Sequence, residues 1–225
     1  MNKNLKEEED DDEQEEEQVK VVLIGESGVG KTSIISQFIS GKFKPGALCT
    51  HGATFSNKTK KFKEFQRTIS FEIWDTAGQE KYRSLNSMFF KDASVALIVY
   101  DITSQKTFEE VENYWANAIK ENGPKNIIIY LVGNKSDLFT HEEVKEQVAR
   151  QYAKDQNILF WLTSAKDGPC IEKLFDDIGK RYLSPEFNQS EENKERKKRK
   201  SKSHTIKINS LQIKKNKNGN KNCCG

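Results

Sequence analysis

The chemistry suggested by this chain begins at a glycine-rich octapeptide that runs from Gly25 to Thr32. The octapeptide follows the apolar run Val19–Ile24 and precedes a stretch of helical period, Ser33–Phe38. A strand, a glycine-rich turn and a helix in this order make a P-loop, in which backbone N–H groups can surround an anion. The positive end of the helix dipole points at the same anion. The motif predicts a site for nucleotide phosphates without selecting the base.

Two side chains of the octapeptide have defined roles in such a site. Lys31 can reach the β- and γ-phosphates, and the Thr32 hydroxyl can take one ligand position on Mg²⁺. The alternative, a glycine-rich turn beside a surface lysine, does not explain why both flanks fit the motif. The phosphate-binding residues predicted for this loop are Gly25, Ser27, Gly28, Val29, Gly30, Lys31, Thr32 and Ser33.

A second motif, Trp74–Glu80, follows a segment in which apolar and polar residues alternate. Asp75 is placed to hold Mg²⁺ through water, opposite Thr32. The N–H of Gly78 can donate to a γ-phosphate because no side chain intrudes, and Gln79 can orient an attacking water. These groups predict hydrolysis of the terminal phosphate, with Gln79 as the catalytic residue.

The motifs Asn134–Asp137 and Thr163–Lys166 each follow an apolar segment and indicate the base. A carboxylate at Asp137 can accept from both N1–H and the exocyclic amine of guanine. Adenine lacks that donor pair, so Asp137 argues against a P-loop kinase or ATPase. A backbone N–H of the later motif can donate to guanine O6. The predicted guanine-binding residues in the two motifs are Asn134, Lys135, Asp137, Ser164, Ala165 and Lys166.

The elements that must position these motifs alternate along the chain. Val95–Tyr100, Ile127–Val132 and Ile158–Leu162 are short, nearly continuous apolar runs, typical of strands buried on both faces. Phe108, Val111, Trp115 and Ile119 recur at helical spacing and are expected to be core residues, as are Tyr130, Phe160 and Trp161. The region 53–74 instead predicts an antiparallel edge hairpin. The expected fold is α/β: a mostly parallel six-stranded sheet, one antiparallel edge strand, and helices on both faces.

Charge is concentrated at the two ends of the chain. Residues 1–18 hold ten acids and two lysines, whereas residues 184–225 hold twelve bases and four acids. We therefore predict an acidic disordered extension over 1–17, one folded domain over 18–183, and a flexible basic tail over 184–225. No segment approaches the roughly 18–20 apolar residues that span a bilayer. The acidic start is unlike a signal peptide and four cysteines are too few for a disulfide framework, so we expect a cytosolic protein.

Over residues 18–183 the motifs resemble, in order, those of the small GTPases of the Ras superfamily, and within it the Rab family. The Rab-like features are Phe71–Trp74, Lys81–Leu85, Ile98–Ile102 and the terminal pair Cys223 and Cys224. The resemblance implies a slowly hydrolysing GTP/GDP switch of vesicle traffic that uses Mg²⁺. No arginine is evident as a built-in finger, so an activating protein would supply one.

The resemblance also assigns roles within the loop that follows the first helix. It implies that Thr50 is a ligand of Mg²⁺ and of the γ-phosphate, and that the Phe43 ring stacks on guanine. The alternatives are an ordinary loop threonine and a core phenylalanine. His51 stands where Rab proteins usually have isoleucine, in a loop that meets effectors. The histidine either changes partner choice or is a tolerated exposed substitution, and both interpretations stay open.

The chain end resembles the double-cysteine ending of Rab proteins, which implies geranylgeranyl groups on Cys223 and Cys224. Two lipids anchor far more firmly than one, and the basic run Lys194–Lys202 adds attraction to anionic lipid. A nuclear-import signal or an RNA contact is the competing interpretation of that run, and we favour the membrane and no nucleic acid.

The implied location is the cytosol and the cytoplasmic face of intracellular membranes. Ala53, Phe71–Trp74 and the double cysteine at 223 and 224 favour the early-endosomal branch. The implied partners are an exchange factor, a GTPase-activating protein, a prenyl-binding escort, a dissociation inhibitor and effectors, acting on a monomer. A second hypothesis is a nucleotide-bound membrane scaffold that cycles little because its effector loop is altered. Gln79 argues against that hypothesis.

Overall fold

The computed structural model describes residues 16–43, 45, 50, 52–76 and 86–188. Its strands are β1 (Glu16–Ile24), β2 (Ala53–Phe62), β3 (Arg67–Thr76), β4 (Val95–Asp101), β5 (Ile128–Asn134) and β6 (Leu159–Leu162). They form one six-stranded sheet in the order β2-β3-β1-β4-β5-β6. Only β2 and β3 pair antiparallel, and every other neighbouring pair is parallel. The predicted fold class and the antiparallel edge strand are confirmed.

The helices are α1 (Lys31–Ser40), α2 (Asn86–Phe90), α3 (Gln105–Glu110), α4 (Ala116–Asn122), α5 (Glu146–Asp155), α6 (Gly168–Leu183) and α7 (Pro185–Asn188). A π turn, Val111–Trp115, joins α3 to α4. Short 3-10 segments cover Lys63–Phe65 and Ser136–His141. Among the described residues no helix is long and apolar enough to cross a bilayer.

Strand β1 begins before the apolar run that predicts it. Backbone pairing of Glu16 with Thr68 and of Glu17 with Ile69 extends the strand into the acidic run. The side chain of Glu16 stays exposed, and the Glu17 carboxylate lies 3.9 Å from the guanidinium of Arg67. A strand can therefore contain acids at its open end as long as the backbone finds partners.

Both faces of the sheet are covered by apolar side chains. On one face, Phe38 of α1 stacks on Phe175 of α6 with 3.6 Å between ring centroids, and Phe71 of β3 meets Phe175 edge to face. The opposite face carries a buried cluster that includes Trp115 and Ile98. Successive strand residues point to opposite faces, so the nearly continuous apolar runs supply both layers.

The described parts of the functional motifs lie at the carboxyl edge of the parallel strands. The P-loop follows β1, Asp75 is close to the end of β3, Asn134 ends β5, and the Thr163–Lys166 turn follows β6. Ligands of open parallel sheets bind at this edge because loops from neighbouring strands meet there. The fold thereby brings together residues that are more than 130 positions apart in the sequence.

Candidate functional site

The P-loop has left-handed backbone at three glycines. Gly25, Gly28 and Gly30 have φ values of 135°, 80° and 97°. A Cβ at Gly25 would lie 2.1 Å from the carbonyl oxygen of Val99, and one at Gly30 would lie 2.3 Å from Nδ2 of Asn134. A Cβ at Gly28 would meet nothing within 4 Å. Gly25 and Gly30 are thus required for both space and conformation, and Gly28 for conformation alone.

The ammonium of Lys31 is held inside the P-loop. Only 6% of this residue is exposed, and Nζ donates to the carbonyl oxygens of Gly25 and Glu26 at 2.8 Å each. A buried ammonium needs such acceptors, because an unpaired buried charge is very costly. Both carbonyls are neutral, so the loop surrounds a positive charge without cancelling it. Val29 is buried, whereas Ser27 and Gly28 are exposed and Ser33 is half-buried on α1.

A cluster of oxygen atoms lies beside the P-loop. The Thr32 hydroxyl donates to Oδ2 of Asp75 at 2.5 Å and lies 2.7 Å from the Thr50 hydroxyl. Thr50 Oγ1 is 3.4 Å from the same carboxylate oxygen. Asp75 is 2% exposed, and its Oδ1 has no hydrogen-bond partner within the described part of the chain. Three residues thus direct only oxygen atoms at one point.

The protonation of Asp75 reflects its burial. Desolvation raises the pKa of this carboxyl, and the hydrogen bonds from Thr32 and Thr50 and the charge of Lys31 lower it again only in part. A cation at the cluster would satisfy the unpartnered Oδ1 and stabilise the ionised form. Carboxylate and hydroxyl oxygens suit a hard divalent cation such as Mg²⁺, so the donor set fits the predicted metal.

A separate cleft of about 130 Å³ lies on the other side of the P-loop. It contains all seven residues predicted for guanine and two P-loop glycines. Its lining is Gly28, Gly30, Ser33, Phe43, Asn134, Lys135, Asp137, Leu138, Ser164, Ala165 and Lys166. The ammonium of Lys166 lies 5.8 Å from the centre of the Phe43 ring, so these two side chains face each other across the cleft.

The carboxylate of Asp137 is held by two donors. Ser164 Oγ donates to Oδ1 and Lys166 Nζ donates to Oδ2, both at 2.6 Å. Partial burial alone would raise the pKa of Asp137, but these two hydrogen bonds and the Lys166 charge outweigh it and lower the pKa. The group is therefore ionised at neutral pH and acts only as an acceptor.

Asn134 joins the cleft to the P-loop. Its Nδ2 donates to the Val29 carbonyl at 2.7 Å, and its Oδ1 accepts from the N–H of Ala165 at 3.1 Å. The residue is 1% exposed, so both bonds are shielded from water. The amide therefore fixes the P-loop relative to the turn after β6, a role that the motif alone does not reveal.

Lys135 has φ 66° and ψ 34°, a left-handed conformation that costs energy for any residue except glycine. Its Nζ pairs with Oδ2 of Asp101 at 2.5 Å. The other oxygen of Asp101 accepts from the N–H and the hydroxyl of Thr103. Asp101 thus links the ends of β4 and β5 beneath the cleft.

Two residues of this site were missed in the sequence. Leu138 lines the cleft, and its signal is its position directly after Asp137. Asp101 contacts Lys135, and its signal is an acid at the carboxyl end of a buried strand. Other predicted residues lie outside the described part of the chain: Gly78, Gln79, Cys223, Cys224 and the loop residue His51.

Comparison with known proteins points to one family. Residues 20–184 match the family model described as Ras family. Ras-related protein Rab-22A of Homo sapiens is 40% identical to this chain over 171 residues, which cover 76% of this chain and 87% of that protein. Rab-22A of Canis lupus familiaris and of Mus musculus give the same identity and coverage.

Proposed function

We propose that this chain, a Rab-type member of the Ras family of small GTPases, is a slow GTP-hydrolysing switch of vesicle and membrane traffic. Family membership carries the binding of GTP and GDP and the hydrolysis of GTP. The observation that supports these residue roles is the single cleft in which P-loop glycines and Asp137 meet. One ligand with a guanine and a phosphate chain would satisfy both.

Asp137 selects the base in this proposal. Its carboxylate is ionised and offers two acceptor oxygens, which match the N1–H and the exocyclic amine of guanine. The N–H groups of Ala165 and Lys166 donate to Asn134 and Ser164, so a donor from this turn to guanine O6 would share one of these bonds. Phe43 and Lys135 would cover the faces of the ring. Adenine presents no donor pair to Asp137, so the acceptor capacity that the carboxylate keeps beyond its bonds to Ser164 and Lys166 would stay unused with ATP.

The P-loop binds the phosphates. Lys31 exchanges its carbonyl acceptors for phosphate oxygens without moving from the loop. The backbone N–H groups of residues 25–33 would donate to the same phosphates. Thr32, Thr50 and Asp75 would hold Mg²⁺, Asp75 through water. When bound, the cation neutralises charge on the phosphate oxygens. The fit of the donor set supports this assignment.

Thr50 and Gly78 make the site a switch. Both contact the γ-phosphate in this proposal, so hydrolysis removes the acceptor that holds their loops. Gln79 orients the attacking water. An activating protein would add an arginine, which raises the rate by roughly 10³–10⁵ in such enzymes. His51 follows Thr50 directly and would face effectors, where it either changes partner choice or is a tolerated exposed substitution.

The proposal extends to the chain end. Geranylgeranyl groups on Cys223 and Cys224 would anchor the protein to the cytoplasmic face of intracellular membranes, with an endosomal membrane as the proposed compartment. The basic tail strengthens the attraction to anionic lipid. An escort for prenylation, a dissociation inhibitor, an exchange factor and effectors would complete the cycle of a monomeric protein.

Single-turnover hydrolysis of bound GTP tests the switch. We expect slow hydrolysis by the wild type, loss of it in Gln79→Leu, and no change in Gln151→Leu. Gln151 is an exposed residue of α5 that does not line the cleft, and it receives the same chemical change. If the wild type binds GTP but never hydrolyses it, the non-cycling scaffold is the better description.

Membrane fractionation tests the anchor. The combined change Cys223→Ser with Cys224→Ser should move the protein to the cytosol, whereas Cys170→Ser, on α6, should leave it on membranes. Retention of the double variant on membranes would show that prenylation is not the anchor.

A further inference from the structure

We infer that Trp115 is a positioning residue that holds the P-loop through Glu26 and thereby slows the release of GDP. The sequence indicates only a core tryptophan, and the residue is indeed 0% exposed. Its indole N–H, however, donates to Oε1 of Glu26 at 3.2 Å, across 89 positions of sequence. Glu26 lies within the P-loop, so a core residue is tied directly to the phosphate site. The inference rests on the proposed function of that loop.

The π turn is a second, independent observation. Trp115 is its last residue, and the N–H of Ala116 donates to the carbonyl of Val111, five positions back. Such a turn inserts one residue into the helix and rotates the later helical turns relative to the earlier ones. π turns are rare in proteins and occur frequently at functional sites. Here the turn contains the residue whose side chain contacts the P-loop.

Two of the contacts that the structure describes for Glu26 act on the same residue. Its side chain accepts from Trp115, and its backbone carbonyl accepts from Nζ of Lys31 at 2.8 Å. Fixing the side chain restrains the peptide group that directs the Lys31 ammonium. The glycines on either side have left-handed φ values and little conformational restraint of their own. An external anchor therefore has a clear mechanical effect on this loop.

The charge of Glu26 gives the anchor a second consequence. A carboxylate near a nucleotide polyphosphate repels it, and the repulsion grows as water is excluded. The hydrogen bond from the indole N–H holds the carboxylate at the helix. Packing explains why the Trp115 ring is buried, but packing does not require its N–H to meet a P-loop acid.

Dissociation of a fluorescent GDP analogue tests the inference on the full chain. We expect Trp115→Phe and Glu26→Ala each to speed GDP release about tenfold, the effect of one hydrogen bond to a charged group. Glu26→Gln keeps an acceptor oxygen but makes a weaker, neutral hydrogen bond, so it should speed GDP release less than Glu26→Ala does. The double variant Trp115→Phe with Glu26→Ala should be no faster than either single variant, because both remove one interaction.

Phe108→Leu is the matched control for lost packing. Phe108 is buried in the same cluster and on the same helix, and we expect its variant to release GDP at the wild-type rate. Guanosine is the second control, since an effect through the P-loop weakens GDP binding and leaves the affinity for the phosphate-free nucleoside unchanged.

Three results would overturn the inference while leaving the proposed function intact. The first is an equal increase in the rate of GDP release in Trp115→Phe and Phe108→Leu. The second is an additive increase in the double variant, and the third is a loss of guanosine affinity that parallels the loss of GDP affinity. Should Trp115→Phe not fold, the comparison of Glu26→Ala with Glu26→Gln decides alone, and equal rates would refute the anchor. A wild type that does not bind GDP would instead refute the proposed function.

Discussion

Gly30→Ala is the substitution through which the coupling between the P-loop and the base cleft can be measured. A Cβ at this position would lie 2.3 Å from Nδ2 of Asn134, a separation that real atoms do not adopt. Asn134 cannot move aside freely, because its amide bonds to Val29 and Ala165 and it is 1% exposed. The new methyl group must therefore break buried hydrogen bonds.

The cost can be separated into two parts by a matched variant. Both Gly30→Ala and Gly28→Ala place an alanine at positive φ, which costs about 1–2 kcal/mol. Only Gly30→Ala also displaces Asn134, since nothing lies within 4 Å of a Cβ at Gly28. Loss of two buried hydrogen bonds at about 1 kcal/mol each makes Gly30→Ala less stable than Gly28→Ala by about 2 kcal/mol.

Urea unfolding of the nucleotide-free protein measures this difference. The background variant Asn134→Ala removes the side chain that is displaced, so the extra cost of Gly30→Ala over Gly28→Ala should vanish there. If the two glycine variants are equally stable in the wild-type background, the clash is relieved in some other way. In that case the conclusion that Asn134 links the P-loop to the base cleft is wrong.

Three further predictions concern buried polar groups. Tyr130→Phe should lower the free energy of unfolding by about 2 kcal/mol, because the Tyr130 hydroxyl donates to a carboxylate on α6. Tyr100→Phe should change it by no more than about 0.5 kcal/mol, because the Tyr100 hydroxyl is buried with no partner in the described ranges. Urea unfolding of the two variants measures the difference. Burial raises the folded-state pKa of Asp75, so the native state binds more protons than the unfolded state does near that pKa. The free energy of unfolding of the wild type therefore falls as pH rises through the folded-state pKa. Asp75→Asn should therefore raise the urea midpoint of the metal-free protein at pH 7 while abolishing the effect of Mg²⁺ on GDP release, and an unchanged Mg²⁺ effect would contradict the assigned ligand. Asp101→Asn should speed GDP release severalfold by freeing the strained Lys135, and stopped-flow release from this variant at the wild-type rate would contradict that role.

The parts of this protein that can be predicted from sequence are those in which residue type alone limits the geometry. Glycines that must adopt positive φ, a lysine at the start of a helix and a carboxylate after a buried strand define the P-loop and the base cleft. Periodicity likewise predicts the strands, because strands buried on both faces need continuous apolar runs. The burial expected for Phe160 and Trp161 is wrong in part, since β6 is an edge strand and its four residues are only half-buried. All seven predicted guanine residues line one cleft; six of them are predicted from their motifs, and Phe43 is predicted from the family resemblance.

The remaining features depend on contacts between distant segments. The strand start at Glu16 depends on backbone pairing with β3, and no side-chain pattern records it. The spacing of Phe108, Val111, Trp115 and Ile119 fits a plain α-helix as well as one with a π turn. The two bonds of Asn134 reach residues 105 and 31 positions away, so their existence depends on the folded chain and not on the motif.

The site contains two kinds of attachment, and the difference explains how it can be both a binding site and a switch. Asn134 joins the P-loop to the turn after β6 through bonds that water does not reach, so the base cleft and the P-loop form one rigid unit. The Thr50 hydroxyl makes two contacts at a partly exposed position. It lies 2.7 Å from the Thr32 hydroxyl and 3.4 Å from Oδ2 of Asp75. Contacts that compete with water contribute little on their own, so an added ligand decides whether Thr50 stays in place. A γ-phosphate and a cation would supply that ligand, and their loss would release Thr50 while the base remains bound.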